Sequence, residues 1–193
     1  RLSWKFHSRN LLVTFHPVTL QPTSSVKQVR ALVAALDGLP DDIGVVVTGT
    51  NTDSEGAQIN AVLQEYCARN AKQALYVASL GNLKYLSVLA QVDAVVGNSS
   101  SGLYEAPSVG TPTVDLGLRQ MGRPRASSVI QCDVDTESIA EGIHEALMRC
   151  DVDVISPYGD GHAVEKIVSV LCNLPGRDTL LLKAFVDHER LIQ

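Results

Sequence analysis

Ala94-Val95-Val96-Gly97-Asn98-Ser99-Ser100-Ser101-Gly102-Leu103-Tyr104-Glu105 passes from a short apolar run, through a loop of small polar residues, into a segment of helical character. The apolar run reads as a buried strand, and the loop leads directly from it into a helix. A helix N-terminus presents unpaired N–H groups and roughly half a positive charge, and small residues let an anion approach the backbone. Ser99, Ser100 and Ser101 add three hydroxyls, so the loop suits a diphosphate. It has no lysine and does not resemble an ATP-hydrolysing P-loop. The competing reading is that the serines only cap the helix, as serine commonly does. Three in succession directly after a strand move the balance towards binding.

The same alternation continues on both sides. Residues 11–15 read as a strand, followed by a helix over 26–36. Ser25 and Gln28 open that helix at capping-box spacing, and Val29, Leu32, Val33 and Leu36 share one face. Gly38 and Pro40 end it. Ile43–Thr48 predicts a strand, 49–56 a polar loop and 57–68 a helix with Ile59, Val62, Leu63 and Tyr66 inward. Strands are predicted at 75–77, Ala94–Gly97 and Thr113–Leu116, with helices at 83–90 and 103–109; Pro107 keeps the second of these short and Gly110 ends it. An Arg-containing loop spans 117–128 and Val129–Cys132 reads as an edge strand. Helices follow at 136–147, 163–171 and 178–192. Alternating strands and helices predict an α/β fold, a Rossmann-like parallel sheet with helices on both faces. The 193 residues suit a single domain, with 1–10 as linker and 178–193 as a C-terminal helix.

Composition narrows the partners. With 45% hydrophobic and 19% charged residues the chain reads as globular and soluble, and no stretch approaches the uncharged apolar length needed to cross a membrane. A formal net charge of -5 speaks against nucleic acid, whereas a small anionic ligand needs only a few local donors. Cys67, Cys132, Cys150 and Cys172 lack CxxC or His-rich spacing and read as reduced core thiols, with no metal or cofactor expected. The first ten residues are polar and basic, so no signal peptide is read and a cytoplasmic location is expected. The chain opens on Arg and enters a strand almost at once, which suggests a piece of a longer or processed protein.

In open parallel sheets ligands lie outside the carboxyl ends of the strands, so strand-to-helix loops hold the candidate residues. His16 ends the first strand, and Pro17 turns the chain away from helix, so the ring projects over the sheet edge. There an imidazole can meet a phosphate or transfer a proton, or simply pack in a loop. Asn51, in the polar loop after the second strand, can read a base edge or belong to a hydrated turn. Glu105 gains from the helix dipole and can accept from both hydroxyls of a ribose. Arg119 and Arg123 carry guanidinium forks suited to phosphate, though arginine in an exposed loop is ordinary. His144 and His188 read as structural or surface residues, and His162, in a Gly-rich loop, stays open.

Thr14-Phe15-His16-Pro17, the long run from Gly97-Asn98-Ser99-Ser100-Ser101-Gly102 through Glu105-Ala106-Pro107 to Pro112, the segment 117–122, and Pro157-Tyr158-Gly159-Asp160-Gly161 occur in this order. On these motifs the chain resembles the hydrolysing UDP-N-acetylglucosamine 2-epimerases of the sialic-acid-pathway type, specifically their C-terminal domain, over roughly residues 11–171. The Asn-Ser-Ser-Ser-Gly form is the usual pattern of that branch. The resemblance implies two Rossmann-like domains facing a cleft, the B-type glycosyltransferase arrangement. It implies that His16 lies near the diphosphate and affects catalysis, that Ser99, Ser100, Ser101 and Gly102 hold the diphosphate, that Glu105 binds the ribose, and that Arg119 and Asn51 line the UDP site.

In the family, UDP leaves by elimination to give a 2-acetamidoglucal, and water then adds to give N-acetylmannosamine. The family's catalytic carboxylates lie in the N-terminal domain, which these residues do not match. The resemblance therefore implies a chain that binds UDP or UDP-N-acetylglucosamine weakly by itself, does not turn over, and works with the missing N-terminal domain in an intact homo-oligomer. Three other readings compete: a UDP-sugar glycosyltransferase domain, the non-catalytic half of a split nucleotide-sugar enzyme, and a regulatory Rossmann-like module without nucleotide. His16 and the triple serine favour the epimerase over the transferase.

Overall fold

In the computed structural model the described residues are 4–18, 24–51, 55–149 and 154–182. Six strands form one sheet: β1 (Arg9–Thr14), β2 (Ile43–Thr48), β3 (Ala74–Val77), β4 (Ala94–Gly97), β5 (Thr113–Leu116) and β6 (Val129–Cys132). All pairings are parallel and the order is β3-β2-β1-β4-β5-β6. Successive strands step one way from β1 and then the other way from β4. The connections therefore diverge between β1 and β4, and a crevice opens at their carboxyl ends.

Side-chain alternation explains the helices on both faces. Leu11, Val13 and Phe15 of the β1 segment, Val45 and Val47 of β2, and Val114 and Leu116 of β5 point into one core cluster. There they meet Val29, Leu32 and Leu36 of α1 (Ser25–Asp37), Ile59 and Leu63 of α2 (Gly56–Arg69), and Ile139 and Ile143 of α5 (Thr136–Met148). The intervening Leu12, Val46 and Val95 point to the other face and pack with Val88 and Leu89 of α3 (Gly81–Leu89). A period of two in the strands thus feeds two helical layers, which is why these strands read as continuous apolar runs.

Three local readings are corrected. The N-cap of α1 is Ser24, whose hydroxyl accepts from the Val26 N–H at 3.2 Å. Ser25 is buried instead, its hydroxyl accepting from the Val18 N–H at 3.0 Å, and a side chain engaged in that long-range contact does not cap. The helix expected over 103–109 is split into α4 (Ser101–Tyr104) and a 3-10 turn (Ala106–Val109), because Pro107 lacks the N–H needed to continue an α-helix. Cys172 is exposed, although Cys67 is buried and Cys132 half-buried; Cys150 lies outside the described residues. Burial pushes the Cys67 thiol up to about 12. Elsewhere the boundaries agree within about two residues, the ordinary fraying of element ends. β1 begins at Arg9, inside the span read as linker.

The chain divides into two compact units, 1–158 and 159–193. The first holds the whole sheet. The second holds α6 (Ala163–Cys172) and α7 (Arg177–Leu181), and α6 buries no residue, leaving Val164, Ile167, Val168 and Leu171 exposed. The helix expected over 178–192 is shorter here: α7 ends at Leu181 and Leu182 leaves helical geometry, while residues 183–193 lie outside the described residues. Among the described residues no helix is long and apolar enough to cross a membrane.

Candidate functional site

At the end of β4 the chain is pressed against β1. Gly97 pairs with Thr14 in register and has φ +145°, and a Cβ there would stand 1.9 Å from the Thr14 carbonyl oxygen. Only glycine permits this approach. The Asn98 N–H then donates to the same carbonyl at 3.2 Å. Asn98 is fully buried; its Oδ1 accepts from the His16 N–H at 2.7 Å and its Nδ2 donates to the His16 carbonyl at 2.8 Å. The amide side chain thus continues the β1–β4 pairing one step past the strands. The Asn98 carbonyl accepts from Arg119 Nη1 at 3.1 Å and from Gln120 Nε2 at 2.8 Å, drawing in the loop after β5.

The His16 ring meets the loop after β2. Its Nδ1 accepts from the Asn51 N–H at 3.3 Å and lies 3.1 Å from Thr50 Oγ1. A backbone N–H can only donate, so Nδ1 is an acceptor and the neutral ring carries its proton on Nε2. A proton on Nε2 can be donated to a phosphate oxygen or a leaving group.

The serine run turns immediately into α4. The N–H groups of Leu103 and Tyr104 both donate to the Ser100 carbonyl at 3.0 Å, and Ser99 Oγ accepts from the Ser101 N–H at 3.4 Å. Ser100 is the N-cap of α4, yet its side chain makes no capping bond. The pure capping reading therefore accounts for Ser99 but not for Ser100. Ser101 Oγ is buried and faces the buried Tyr85 hydroxyl of α3. Gly102 lies flat on β5, where a Cβ would stand 2.5 Å from Thr113 Cγ2, and Thr113 Oγ1 donates to its carbonyl at 2.9 Å. The small residue at 102 serves close packing beneath the loop.

The structure therefore gathers His16, Asn51, Ser99 and Arg119 around Asn98 at the carboxyl edge of β1, β2, β4 and β5, with Ser100, Ser101 and Gly102 continuing from it. Glu105 is exposed one helical turn after Ser101, joined to the group through the helix backbone. Arg123 sits over the Tyr104 ring at 5.6 Å, and the Tyr104 and Tyr158 rings lie 4.2 Å apart. Tyr158 Oη donates to the Pro124 carbonyl at 2.9 Å, which pins the arginine loop. Arg123 thus packs on the Tyr104 ring. Asn98, Thr50, Gln120 and Tyr158 were not singled out as site residues from the sequence. Asn98 lay inside the decisive stretch, but nothing in the sequence said that its amide would pair with a backbone 82 residues away.

Behind the site, Asp115 of β5 is in register with Gly97 and is fully buried. Its Oδ2 pairs with Arg125 Nη2 at 3.2 Å, while Oδ1 has no partner among the described residues. Burial pushes this carboxyl above the ordinary carboxylate range, against the opposing pull of Arg125. Among the described residues no group of three or more His, Cys, Asp or Glu side chains is placed to hold a metal ion. A cavity of about 540 Å³ lined by His7, Asp41, Arg69 and Lys72 lies apart from this cluster and contains none of its residues.

The family model for UDP-N-acetylglucosamine 2-epimerase matches residues 2–172. The chain belongs to the UDP-N-acetylglucosamine 2-epimerase family. A relative from Campylobacter jejuni, a GDP/UDP-N,N'-diacetylbacillosamine 2-epimerase (hydrolyzing), is 33% identical over 188 residues, covering 96% of this chain and 49% of its own length. The UDP-N-acetylglucosamine 2-epimerase of Neisseria meningitidis is 28% identical over 90% of this chain and 45% of its own. The crystal structure of UDP-N-acetylglucosamine 2-epimerase from Neisseria meningitidis bound to UDP-GlcNAc shares the fold with a TM-score of 0.63 at 17% identity, covering 88% of this chain and 45% of that one. The chain thus spans about half the length of the curated relatives it matches. Its Rossmann-like sheet is one half of the two-domain B-type glycosyltransferase-like fold of the epimerase family.

Proposed function

We propose that this chain is the C-terminal, UDP-binding domain of a hydrolysing UDP-N-acetylglucosamine 2-epimerase. The observation that carries the reading is the union of His16, the serine loop and Arg119 by Asn98 at the point where the strand order diverges. All the proposed site residues lie in the first unit, which ends at Tyr158.

In this reading Ser99, Ser100, Ser101 and Gly102 hold the diphosphate with backbone N–H groups and hydroxyls, and Arg119 adds a cationic donor. Glu105 accepts from the ribose hydroxyls, and Asn51 lines the uridine side. The reaction breaks the bond between C1 and the β-phosphate oxygen while a base in the other domain takes the C2 proton, giving UDP and a 2-acetamidoglucal. Water then adds across the double bond, its hydroxyl to C1 and a proton to C2, to give N-acetylmannosamine. This domain's share is to stabilise charge building on the departing diphosphate, with His16 Nε2–H as the proton-bearing donor. The intact enzyme is a cytoplasmic homo-oligomer acting on a nucleotide sugar, with neither membrane nor nucleic acid as partner.

Calorimetric titration with UDP of the purified chain and of a Ser99→Ala, Ser100→Ala double variant tests the site. Hydrogen bonds to a charged group contribute about 1.5–3 kcal/mol each, so the variant should bind at least about tenfold more weakly. Equal affinity would remove the diphosphate from this loop, and N-acetylmannosamine release by the chain alone would contradict the division between two domains.

A second reading concerns the sugar. The Campylobacter jejuni relative, at 33% identity, carries the name of an enzyme for N,N'-diacetylbacillosamine, a sugar with two acetamido groups. Both substrates present the same diphosphate and 2-acetamido group to the reaction. Assaying the intact enzyme on both UDP sugars decides: faster turnover of the diacetyl sugar establishes the second reading, and turnover of UDP-N-acetylglucosamine alone disposes of it.

A further inference from the structure

We propose that Asn98 is a positioning residue of this site, fixing the His16 ring relative to the serine loop and Arg119. The inference rests on the UDP reading only for its nucleotide-binding arm. Asn98 is fully buried and every polar group it carries is engaged. Its N–H reaches the Thr14 carbonyl, its Oδ1 and Nδ2 take the N–H and carbonyl of His16, and its own carbonyl receives Arg119 and Gln120. One residue thereby joins the loops after β1, β4 and β5, and His16 extends the connection to the loop after β2 through Thr50 and Asn51.

The chemistry selects asparagine. Pairing with both the N–H and the carbonyl of one residue needs an acceptor and a donor side by side in one plane, as in a peptide group. An aspartate supplies the acceptor, but in place of Nδ2 it sets a second oxygen against the His16 carbonyl oxygen. Only when that oxygen is protonated does it donate as the amide did. Because Gly97 is held against β1 with no room for a side chain, residue 98 cannot move away to relieve the repulsion. The strain passes instead to His16, whose main chain is gripped here while its Nδ1 is held by Thr50 and Asn51 of the loop after β2. Small misplacements of a group facing a reacting bond lose large factors in binding and rate.

The test compares the wild-type chain with Asn98→Asp and Asn98→Ala, measuring UDP affinity between pH 5 and 8, with far-UV dichroism as the fold control. The ionisable groups around position 98 are His16 and Arg119, which touch it, Asp115, in register with Gly97, and Tyr85, which lies close to Thr14 and Ser101 and has its hydroxyl pushed up by burial. All four are common to the three proteins, so each variant is read as a ratio to wild type at the same pH. At pH 8 both variants should bind about tenfold more weakly. As the pH falls, the ratio for Asn98→Asp should climb back towards one, while that for Asn98→Ala stays flat. A residue that merely fills the strand ends would give no such recovery. If Asn98→Ala does not fold, the pH profile of Asn98→Asp carries the test alone. Affinity of Asn98→Asp within about twofold of wild type at pH 8, or a ratio that does not change with pH, overturns the proposal. If wild type itself binds no UDP, the UDP reading fails and the ring ¹⁵N signals of His16 decide this inference without nucleotide. Their displacement in Asn98→Asp at pH 8, returning towards wild type at pH 5, supports it; unchanged signals overturn it.

Discussion

Replacing Gly97 with alanine should destabilise the fold by about 3–7 kcal/mol, and the structure gives the parts of that figure. A side chain at φ +145° is strained, at a cost of about 1–3 kcal/mol. The added Cβ would also stand 1.9 Å from the Thr14 carbonyl oxygen and 2.7 Å from its carbon, and the obstacle is the backbone of the neighbouring strand rather than a flexible side chain. Relief requires the end of β4 to leave β1. That breaks the bond from the Asn98 N–H to the Thr14 carbonyl and the paired bonds between Asn98 and His16, each contributing about 0.5–1.5 kcal/mol. Against a usual total stability of about 5–15 kcal/mol this is a severe loss. The control is Gly122→Ala, where φ is +81° but no atom lies within contact of the added Cβ, so only the left-handed strain of about 1–2 kcal/mol applies. Urea unfolding followed by far-UV dichroism measures both, provided the m-values agree. A Gly97→Ala loss no greater than that of Gly122→Ala would refute the close-approach argument.

Asp115→Asn should become progressively more favourable relative to wild type as pH rises. A carboxyl held above its unfolded value near 3.9 contributes stability that is fully present below that value and is lost as pH rises through the folded one. Unfolding at pH 4 and pH 7 checks this, and a constant difference would exclude Asp115 as the source. Arg125→Leu should cost about 3 kcal/mol or more at pH 7 by leaving that buried carboxylate unpaired, with a loss under about 1 kcal/mol counting against the pair. In the native chain at pH 8 a thiol reagent should label the exposed Cys172 well before Cys67, whose thiol is pushed up to about 12, or Cys132, pushed up to about 11. Equal labelling rates would mean that Cys67 is accessible. Glu105→Ala should erase discrimination between UDP and 2′-deoxy-UDP, which in the wild type should be about tenfold for a charged hydrogen bond; an unchanged ratio removes Glu105 from the ribose.

The sheet was legible in the sequence because strands buried on both faces announce themselves as short uninterrupted apolar runs. Ile43–Thr48 and Ala94–Gly97 were found at their full extent for that reason, while Thr113–Leu116 is buried throughout despite Asp115 and the edge strand Val129–Cys132 is exposed at Gln131. The cap of α1 was misplaced by one residue because Ser24 and Ser25 are chemically equivalent candidates, and only the tertiary contact of Ser25 with Val18 separates them. The exposure of Cys172 was hidden for a related reason: α6 has the apolar spacing of a buried helix, yet buries none of it within its own unit. At the site, the side chains with recognisable chemistry stood out, whereas Asn98 did not. Its work is to imitate backbone, and no local pattern marks an amide for that purpose.

Charge placement around β5 adds a constraint that the net charge of -5 conceals. The Asp115 carboxylate is buried in register with Gly97, directly behind the loop proposed to receive a diphosphate, where an uncompensated negative charge would oppose the ligand. Arg125 reaches back from the loop after β5 to meet it, and Gln131 receives the same guanidinium while donating to the Asp115 and Gly117 carbonyls. The pair therefore does two things at once. It offsets the Asp115 charge beside the strand end that leads into the proposed diphosphate loop, and it fixes the far end of the loop whose near end, Arg119 and Gln120, is held by the Asn98 carbonyl. In the proposed UDP reading, a loop fastened at both ends presents Arg119 with little conformational freedom left to lose on binding, so a directed site does not require a basic surface.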